Sequence, residues 1–471
     1  MSFSRKTFTN IFGEINSDFN IYTLEDIASE EKRSIISGPF GSNISSKYFT
    51  DSGVPVIRGN NLTEDNTRFI DKGFVFVSHE KADELNTYAK VDDLIFTAAG
   101  TIGQVGMIPE NSKFNEYVIS NKQLRVTLDL DKVNQHYVYY WFSSKLINKY
   151  IKQLNTGSTI PLINLSIIKG LPIPLPSKKI QDKIATIILN IDKKIQLNKE
   201  INRNLEQLSQ NLFKKWFINF DLKNDFNIFE SFKESSLGKI PESWEIKTIG
   251  DLSEVKGRIG WRGYTTNDLV DEGPWVVGGK EITSGFIDFN SAKHLTREKY
   301  EESPEIMLKD KDLIIAKTGT IGPIAMYYDV YGEATLNPNV GLIRSKNIVP
   351  ALLLTFFKTQ RAQYYLNEFT TSSVQPAINQ TTIKQLEIAL PSDKDLLNTI
   401  GSKFEEINLL QFNLNEEIKK LQRLRDTLLP KLMSGEIDVS EINCDMQEIS
   451  TNNWDNKFTV PLQNNLIKVI S

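Results

Sequence analysis

Asp93-Leu94-Ile95-Phe96-Thr97-Ala98-Ala99-Gly100-Thr101-Ile102-Gly103 returns 219 residues later as Asp312-Leu313-Ile314-Ile315-Ala316-Lys317-Thr318-Gly319-Thr320-Ile321-Gly322. Two further echoes keep almost the same spacing. Pro161-Leu162-Ile163-Asn164 is answered by Pro376-Ala377-Ile378-Asn379, and Leu175-Pro176-Ser177 by Leu390-Pro391-Ser392, each 215 residues on. Short β-branched runs such as Val54-Pro55-Val56-Ile57 and Leu94-Ile95-Phe96, punctuated by glycine, predict strands. Ser37-Gly38-Pro39-Phe40-Gly41-Ser42 predicts a loop, Tyr137 to Leu154 a helix, and Leu171 to Pro176 an extended segment, because a residue before proline is pushed out of the helical region.

After each copy the period changes. Ile180, Ile184, Ile187, Ile191, Asn198, Ile201, Leu205, Leu208 and Leu212 recur mostly three and four apart, the signature of an amphipathic helix. Ser177 is a candidate N-cap behind Pro176. A continuous helix from Ile180 to Phe217 would be roughly 57 Å long at 1.5 Å per residue. Lys194 and Asn198 fall on the stripe by spacing, and a polar residue there can fix register. Ile400, Phe404, Ile407, Leu410, Leu414, Ile418, Leu421, Leu424 and Leu428 form the second stripe. Pro430 is expected to end it, since proline cannot continue an ideal helix. Two stripes longer than one domain face requires are best satisfied by packing together. The residues chosen for that pairing are Ile187, Ile191, Asn198, Leu205 and Leu208, against Phe404, Ile407, Leu414, Leu421 and Leu428. The expected fold is α+β: two globular units joined by two long antiparallel helices in a pseudo-two-fold arrangement.

The expected division is an extension over 1–20, a first globular unit over 21–176, a helical spacer over 177–220, a polar linker over 221–239, a second unit over 240–391, a second helical spacer over 392–437 and a tail over 438–471. The chain of 471 residues is 40% hydrophobic and 24% charged, which is ordinary globular chemistry. A single cysteine, Cys444, excludes an internal disulfide framework and fits a reducing compartment. No apolar run approaches the roughly 20 residues needed to span a bilayer, and the first 20 residues lack a secretory apolar core. A cytoplasmic protein with no membrane association is expected.

Enzyme signatures are weak. Asn337-Pro338-Asn339-Val340 partly matches the Asn/Asp-Pro-Pro-aromatic motif of amino-methyltransferases, but lacks the second proline and the aromatic, and reads better as a turn. Glu245-Ile246-Lys247 and Glu254-Val255-Lys256 match the short Glu-x-Lys element of nucleases, a tripeptide common by chance. His79, His136, His294 and Cys444 share no metal-ligand spacing. The two Gly-Thr-Ile-Gly segments lack the lysine of a phosphate-binding loop and read as tight turns after strands.

Nucleic-acid contacts are better supported by residue type. Arg and Lys suit phosphates and guanine edges, and Asn and Gln suit adenine edges. Near predicted turns the first unit offers Lys32, Arg33, Lys47, Tyr48, Arg58, Asn60, Asn121 and Lys122, with Asn61, Gln123 and Arg125 beside them. The second offers Arg258, Trp261, Arg262, Tyr264, Lys280 and Lys317, with Lys256, Thr318, Gln375, Asn379 and Gln380 beside them. Arg258-Ile-Gly-Trp-Arg262 is the leading cluster, since its glycine suggests an exposed turn. The net charge of −4 makes any such footprint local.

Taken with Ser37-Gly-Pro-Phe-Gly-Ser42, Asn211-Leu-Phe-Lys-Lys-Trp-Phe217, Ile240-Pro-Glu-Ser-Trp244 and Leu428-Leu-Pro-Lys-Leu-Met-Ser-Gly-Glu436, the chain resembles the specificity subunit of type I restriction–modification systems over about residues 22–439. The resemblance implies two target recognition domains, each reading one half of a gapped, asymmetric site in double-stranded DNA, with helices that set the gap and dock modification subunits. It implies no catalytic site, no metal and no cofactor in this chain. S-adenosylmethionine would belong to the modification subunits, which methylate adenine, and ATP and Mg to the restriction subunits. The alternatives are a stand-alone DNA methyltransferase or nuclease, and a helical protein-interaction scaffold.

Overall fold

In a computed structural model, which describes residues 4–63, 68–226, 231–258, 263–283, 285–370 and 376–442, the repeated aspartate opens a central strand in both copies. Asp93 precedes Leu94–Thr97 and Asp312 precedes Leu313–Ala316. Each carboxylate accepts a backbone N–H three residues upstream, from Lys90 at 2.8 Å and from Lys309 at 2.7 Å. Each also faces an arginine of the neighbouring strand. Arg344 forks onto Asp312 at 2.6 and 2.9 Å, whereas Arg125 stands 3.9 Å from Asp93, whose other oxygen takes the Thr127 hydroxyl. The conspicuous Asp-Leu-Ile is thus a turn lock: a buried carboxylate is tolerated only where donors surround it.

The strands around it follow one plan twice. In the first copy the antiparallel order is Ile35–Ser37, Gln123–Val126, Leu94–Thr97, Val105–Met107; in the second it is Ser253–Lys256, Val340–Ser345, Leu313–Ala316, Ile324–Met326. A second sheet in each copy holds a parallel pair, Val54–Ile57 with Tyr117–Ile119, and Leu269–Val277 with Ala334–Leu336. Central strands are buried on both faces, which is why Leu94–Thr97 and Leu313–Ala316 read as continuous apolar runs instead of alternating. The other echoes have equally local causes. The Gly100 N–H donates to Pro161 and the Gly319 N–H to Pro376, both at 2.9 Å, so each glycine turn is stitched to its Pro-x-Ile-Asn segment. Asn164 and Asn379 then cap short helices through their side chains.

The chain divides into two compact units, residues 1–195 with 420–471, and residues 196–419. The first long helix, Lys178–Phe213, ends in a π-helical turn, Lys214–Ile218, and the second is Lys394–Ser434. In each unit the helical segments run antiparallel. Asp192 meets Arg425 in the first, while Asn198 meets Glu417 and Asn202 meets Gln411 in the second.

Several expectations need correction. Leu208 is 45% exposed, and Lys194 also faces solvent. Beyond Ile184 and Ile187, which are also buried, the buried row runs through Ile188, Ile191, Ile195, Asn198 and Ser209, with Asn202 and Leu205 half-buried between them. This is a 3.5-residue repeat that drifts off the row of leucines, and polar members satisfy it: Asn198 donates to Glu417 at 2.9 Å and Ser209 bonds Thr355 at 3.0 Å. Of the other pairing residues, Ile187, Ile191, Asn198, Phe404 and Leu428 are buried, and Leu205, Ile407, Leu414 and Leu421 are half-buried. Pro430 does not end its helix. It lies on an exposed face, while Leu428, Leu429, Leu432 and Met433 anchor the turn in the core. Gly435 ends the helix at a φ of +74°.

The helix expected over Tyr137–Leu154 is two, Gln135–Ser143 and Lys145–Gln153, because Ser144 breaks the first and caps the second. The polar stretch after Phe220 contains a hairpin, Phe232–Ser235 with Gly238–Pro241, that leads into Trp244, a fully buried ring against Phe217 and Phe220. The opening extension is also structured. Helix Arg5–Phe12 places Phe8 and Phe12 on Trp141, and Asn16 donates its N–H to Ser434 at 2.8 Å. Of the expected tail, residues 443–471, including Cys444, lie outside the described residues.

His136, on the helix Gln135–Ser143, is half-buried, and desolvation lowers its pKa from 6.5 to about 4. The unfolded chain therefore binds this proton first as pH falls. The stability due to neutral His136 is complete above pH 6.5 and is lost between there and pH 4, about 3 kcal/mol in all. His136→Gln should flatten urea midpoints across that range; an unchanged acid limb would contradict this.

Candidate nucleic-acid interface

The first unit carries a cavity of about 440 Å³ where three chain turns converge. Arg58, Gly59 and Asn60 enter it from the end of strand Val54–Ile57. Ser120, Asn121, Lys122 and Gln123 enter from the turn after Tyr117–Ile119, and Thr97, Ala99, Gly100 and Thr101 from the glycine turn. Five residues selected from the sequence, Arg58, Asn60, Asn121, Lys122 and Gln123, thus come together.

Their neighbours explain how they are presented. Asn61 is fully buried, and its side-chain amide donates to the carbonyls of Ile70 and Lys72 at 3.0 Å while its oxygen accepts the Arg58 N–H. That clamp turns Asn61 inward and leaves the adjacent Asn60 exposed. Arg58 donates Nη2 to the Gly73 carbonyl at 3.3 Å, while its buried Nε has no hydrogen-bond partner among the described residues. An unsatisfied buried guanidinium donor is unfavourable unless a ligand completes it. Asn121 and Lys122 are exposed at the turn tip. The set offers cationic and amide groups on a concave surface with a part-apolar floor of Ile44, Phe49 and Val56.

Other sequence-selected residues lie elsewhere. Lys32 is exposed and does not line the cavity. Arg33 adopts a left-handed φ of +68° and donates to the Asn86 carbonyl at 2.7 Å. Lys47 lies 4.7 Å from the Tyr48 ring, which Lys81 also approaches. Arg125 is structural, donating to the carbonyls of Tyr88 and Arg33.

In the second unit Arg258 is not on an exposed turn. It is 5% exposed, and its Nε donates to the Leu336 carbonyl at 2.8 Å and its Nη2 to Thr335 at 3.1 Å. The parallel strand Ala334–Leu336 ends there, and the arginine donates to its last carbonyl. The Tyr264 ring lies 5.6 Å from the guanidinium. Trp261, Arg262 and Gln375 lie outside the described residues. Lys280 is exposed. Lys317 is half-buried, and burial holds its ammonium below the ordinary lysine range. A Cβ on Gly257 would stand 3.4 Å from the Lys317 Nζ and 3.3 Å from the Gln380 amide. Strand Ser253–Lys256, the glycine turn and the Pro-x-Ile-Asn segment therefore bring Lys317 and Gln380 together. Sequence reasoning passed over Thr97, Thr101 and Ser120; the recurrence of the glycine turn marked the first two only as structural.

The nuclease-like tripeptides are surface ion pairs, Glu245 with Lys247 at 2.6 Å and Glu254 with Lys256 at 3.0 Å. Among the described residues no group of three or more His, Cys, Asp or Glu is placed to hold a metal, and no helix is long and apolar enough to cross a membrane.

A family model described as the type I restriction–modification DNA specificity domain matches residues 16–207 and 241–421, one match to each copy of the repeat. A type I restriction enzyme specificity subunit of Methanocaldococcus jannaschii is 25% identical over 449 residues, spanning 91% of this chain and 96% of that protein. One from Haemophilus influenzae is 23% identical over 390 residues, spanning 69% and 83%. In fold, the chain is similar to the crystal structure of a type I restriction–modification S subunit from M. genitalium. The TM-score is 0.56 at 14% identity, with 89% of this chain and 96% of that one covered.

Proposed function

The chain belongs to the type I restriction–modification DNA specificity family, and from that premise we propose that its two units each read one half of a gapped, asymmetric site in double-stranded DNA. The observation that carries the reading is the cavity of the first unit, where Arg58, whose buried Nε finds no partner among the described residues, stands beside Asn60, Asn121 and Lys122. Guanidinium and ammonium groups serve phosphates and guanine, and carboxamides serve adenine. The second unit keeps the fold but places Lys317 and Gln380 at its corresponding turns. Different side chains on one scaffold give two unlike half-sites.

As a specificity subunit the protein is a non-catalytic component. Modification subunits supply S-adenosylmethionine chemistry on adenine, and restriction subunits supply ATP- and Mg-dependent cleavage. The long helices serve as spacer and docking surface. Leu197, Leu208, Leu409 and Leu410 are each more than 40% exposed on them, apolar area of the kind that protein partners cover. This reading places the complex in the cytoplasm with its DNA.

Equilibrium binding of the complex with co-expressed modification subunits, titrated with salt, tests the proposal. Specific duplex should bind on the order of a thousandfold or more tighter than scrambled duplex, and log affinity should fall linearly with log salt. Equal binding to both duplexes would overturn it.

A further inference from the structure

Phe40 is 85% exposed, more than any other large hydrophobic residue described. It sits in the Gly38-Pro39-Phe40-Gly41 loop, between strand Ile35–Ser37 and the 3-10 turn Gly41–Ile44. The loop is pinned to the cavity wall. The Gly38 N–H donates to the Gln123 carbonyl at 2.9 Å, and a Cβ on Gly38 would fall 1.9 Å from the Ser120 oxygen, so only glycine permits that approach. A Cβ on Gly41 would meet the Asn121 amide at 3.0 Å. The Asn43 N–H returns to the Phe40 carbonyl at 2.8 Å, and Pro39 fixes its own φ. The same loop sends Ile44 into the cavity. An aromatic ring is thus held out in water beside the cationic and amide groups, on backbone that the neighbouring turn has already ordered.

Building on the DNA reading above, we propose that Phe40 is an aromatic wedge that stacks on a base at one base step of the half-site read by the first unit. The chemistry fits. Every base has a π-face, and apolar side chains inserted at base steps unstack and kink duplexes. Phenylalanine has few rotatable bonds to immobilise, and the loop leaves little backbone entropy to lose. Arg58, Asn60, Asn121 and Lys122 hold register while the ring acts on stacking, so the wedge contributes specificity through deformability as well as through contact.

The test uses the full chain with its modification subunits and a duplex recovered from a randomised pool, with 2-aminopurine placed in turn at each adenine. Wild type should change the fluorescence at one step of one half-site. Phe40→Ala should abolish that change and weaken binding roughly tenfold or more, while Phe40→Trp should restore both. The melting temperature should not change, because the ring lies outside the core. Phe40→Ala with unchanged affinity and fluorescence would overturn the wedge while leaving DNA reading intact. So would loss of subunit co-purification or of thermal stability, which would assign Phe40 to a protein interface or to folding. Failure of wild type to prefer any sequence would instead remove the DNA reading itself.

Discussion

Arg425→Ala is expected to destabilise the unit formed by residues 1–195 and 420–471 by about 3–5 kcal/mol, as removing one partner of a buried ion pair does. Arg425 and Asp192 keep only 8% and 12% of their side-chain surface in contact with solvent, and the pair closes at 2.9 Å. Burial works against the Arg425 charge, but hydrogen bonds to Asp192 and Asp426 outweigh it and hold the guanidinium above its ordinary range. The second oxygen of Asp192 accepts the Tyr140 hydroxyl at 2.6 Å. Without the arginine, that carboxylate is left in the interior with a single neutral donor. Replacing both partners, Asp192→Leu with Arg425→Met, should recover much of the loss, since the pair itself repays little beyond its desolvation. Urea denaturation of the two single variants and the double variant measures the coupling. If the double variant loses the sum of the singles, the two residues act independently and the pair is not a lock between the helices.

The second large effect concerns recognition. Arg58→Ala combined with Lys122→Ala should weaken binding on the order of a hundredfold, from about 1–3 kcal/mol per contact. The loss should be confined to one half-site. Duplexes with either half scrambled separate the outcomes. The variant should no longer discriminate at the half read by the first unit and should keep its discrimination at the other. If both residues touch only phosphate, the salt slope falls by about two while sequence preference is kept. Lys32→Ala, exposed and away from the cavity, should change little. Equal loss of preference at both halves would contradict two independent readers.

The repeat and the α+β plan could be read from the sequence because their causes are local. Asp93 and Asp312 lock turns, Asn164 and Asn379 cap helices, and buried strands spell apolar runs. The helix seam could not be read as reliably. Its polar positions, Asn198, Asn408, Gln411 and Arg425, are each buried because a partner across space accepts or donates, and no periodicity of leucine reveals that. Leu208 and Leu424 attracted the reading, yet both are exposed. Pro430 shows the same limit: local propensity forbids what four packed apolar neighbours allow. Residue type near turns singled out Arg58, Asn60, Asn121 and Lys122, which the fold brings to one cavity. It placed Arg258 on an exposed turn, whereas only the fold brings the carbonyl of Leu336 to that guanidinium. Phe40 lies in a loop motif whose sequence does not show where the ring points; its exposure follows from a fold that pins Gly38 against Ser120.

A selection on randomised duplex DNA, using the chain with its modification subunits, tests two-reader recognition most directly. The account predicts one enriched motif made of two unlike halves separated by a fixed gap of unselected bases. A single uninterrupted motif, two identical halves, or no enrichment at low salt would contradict it.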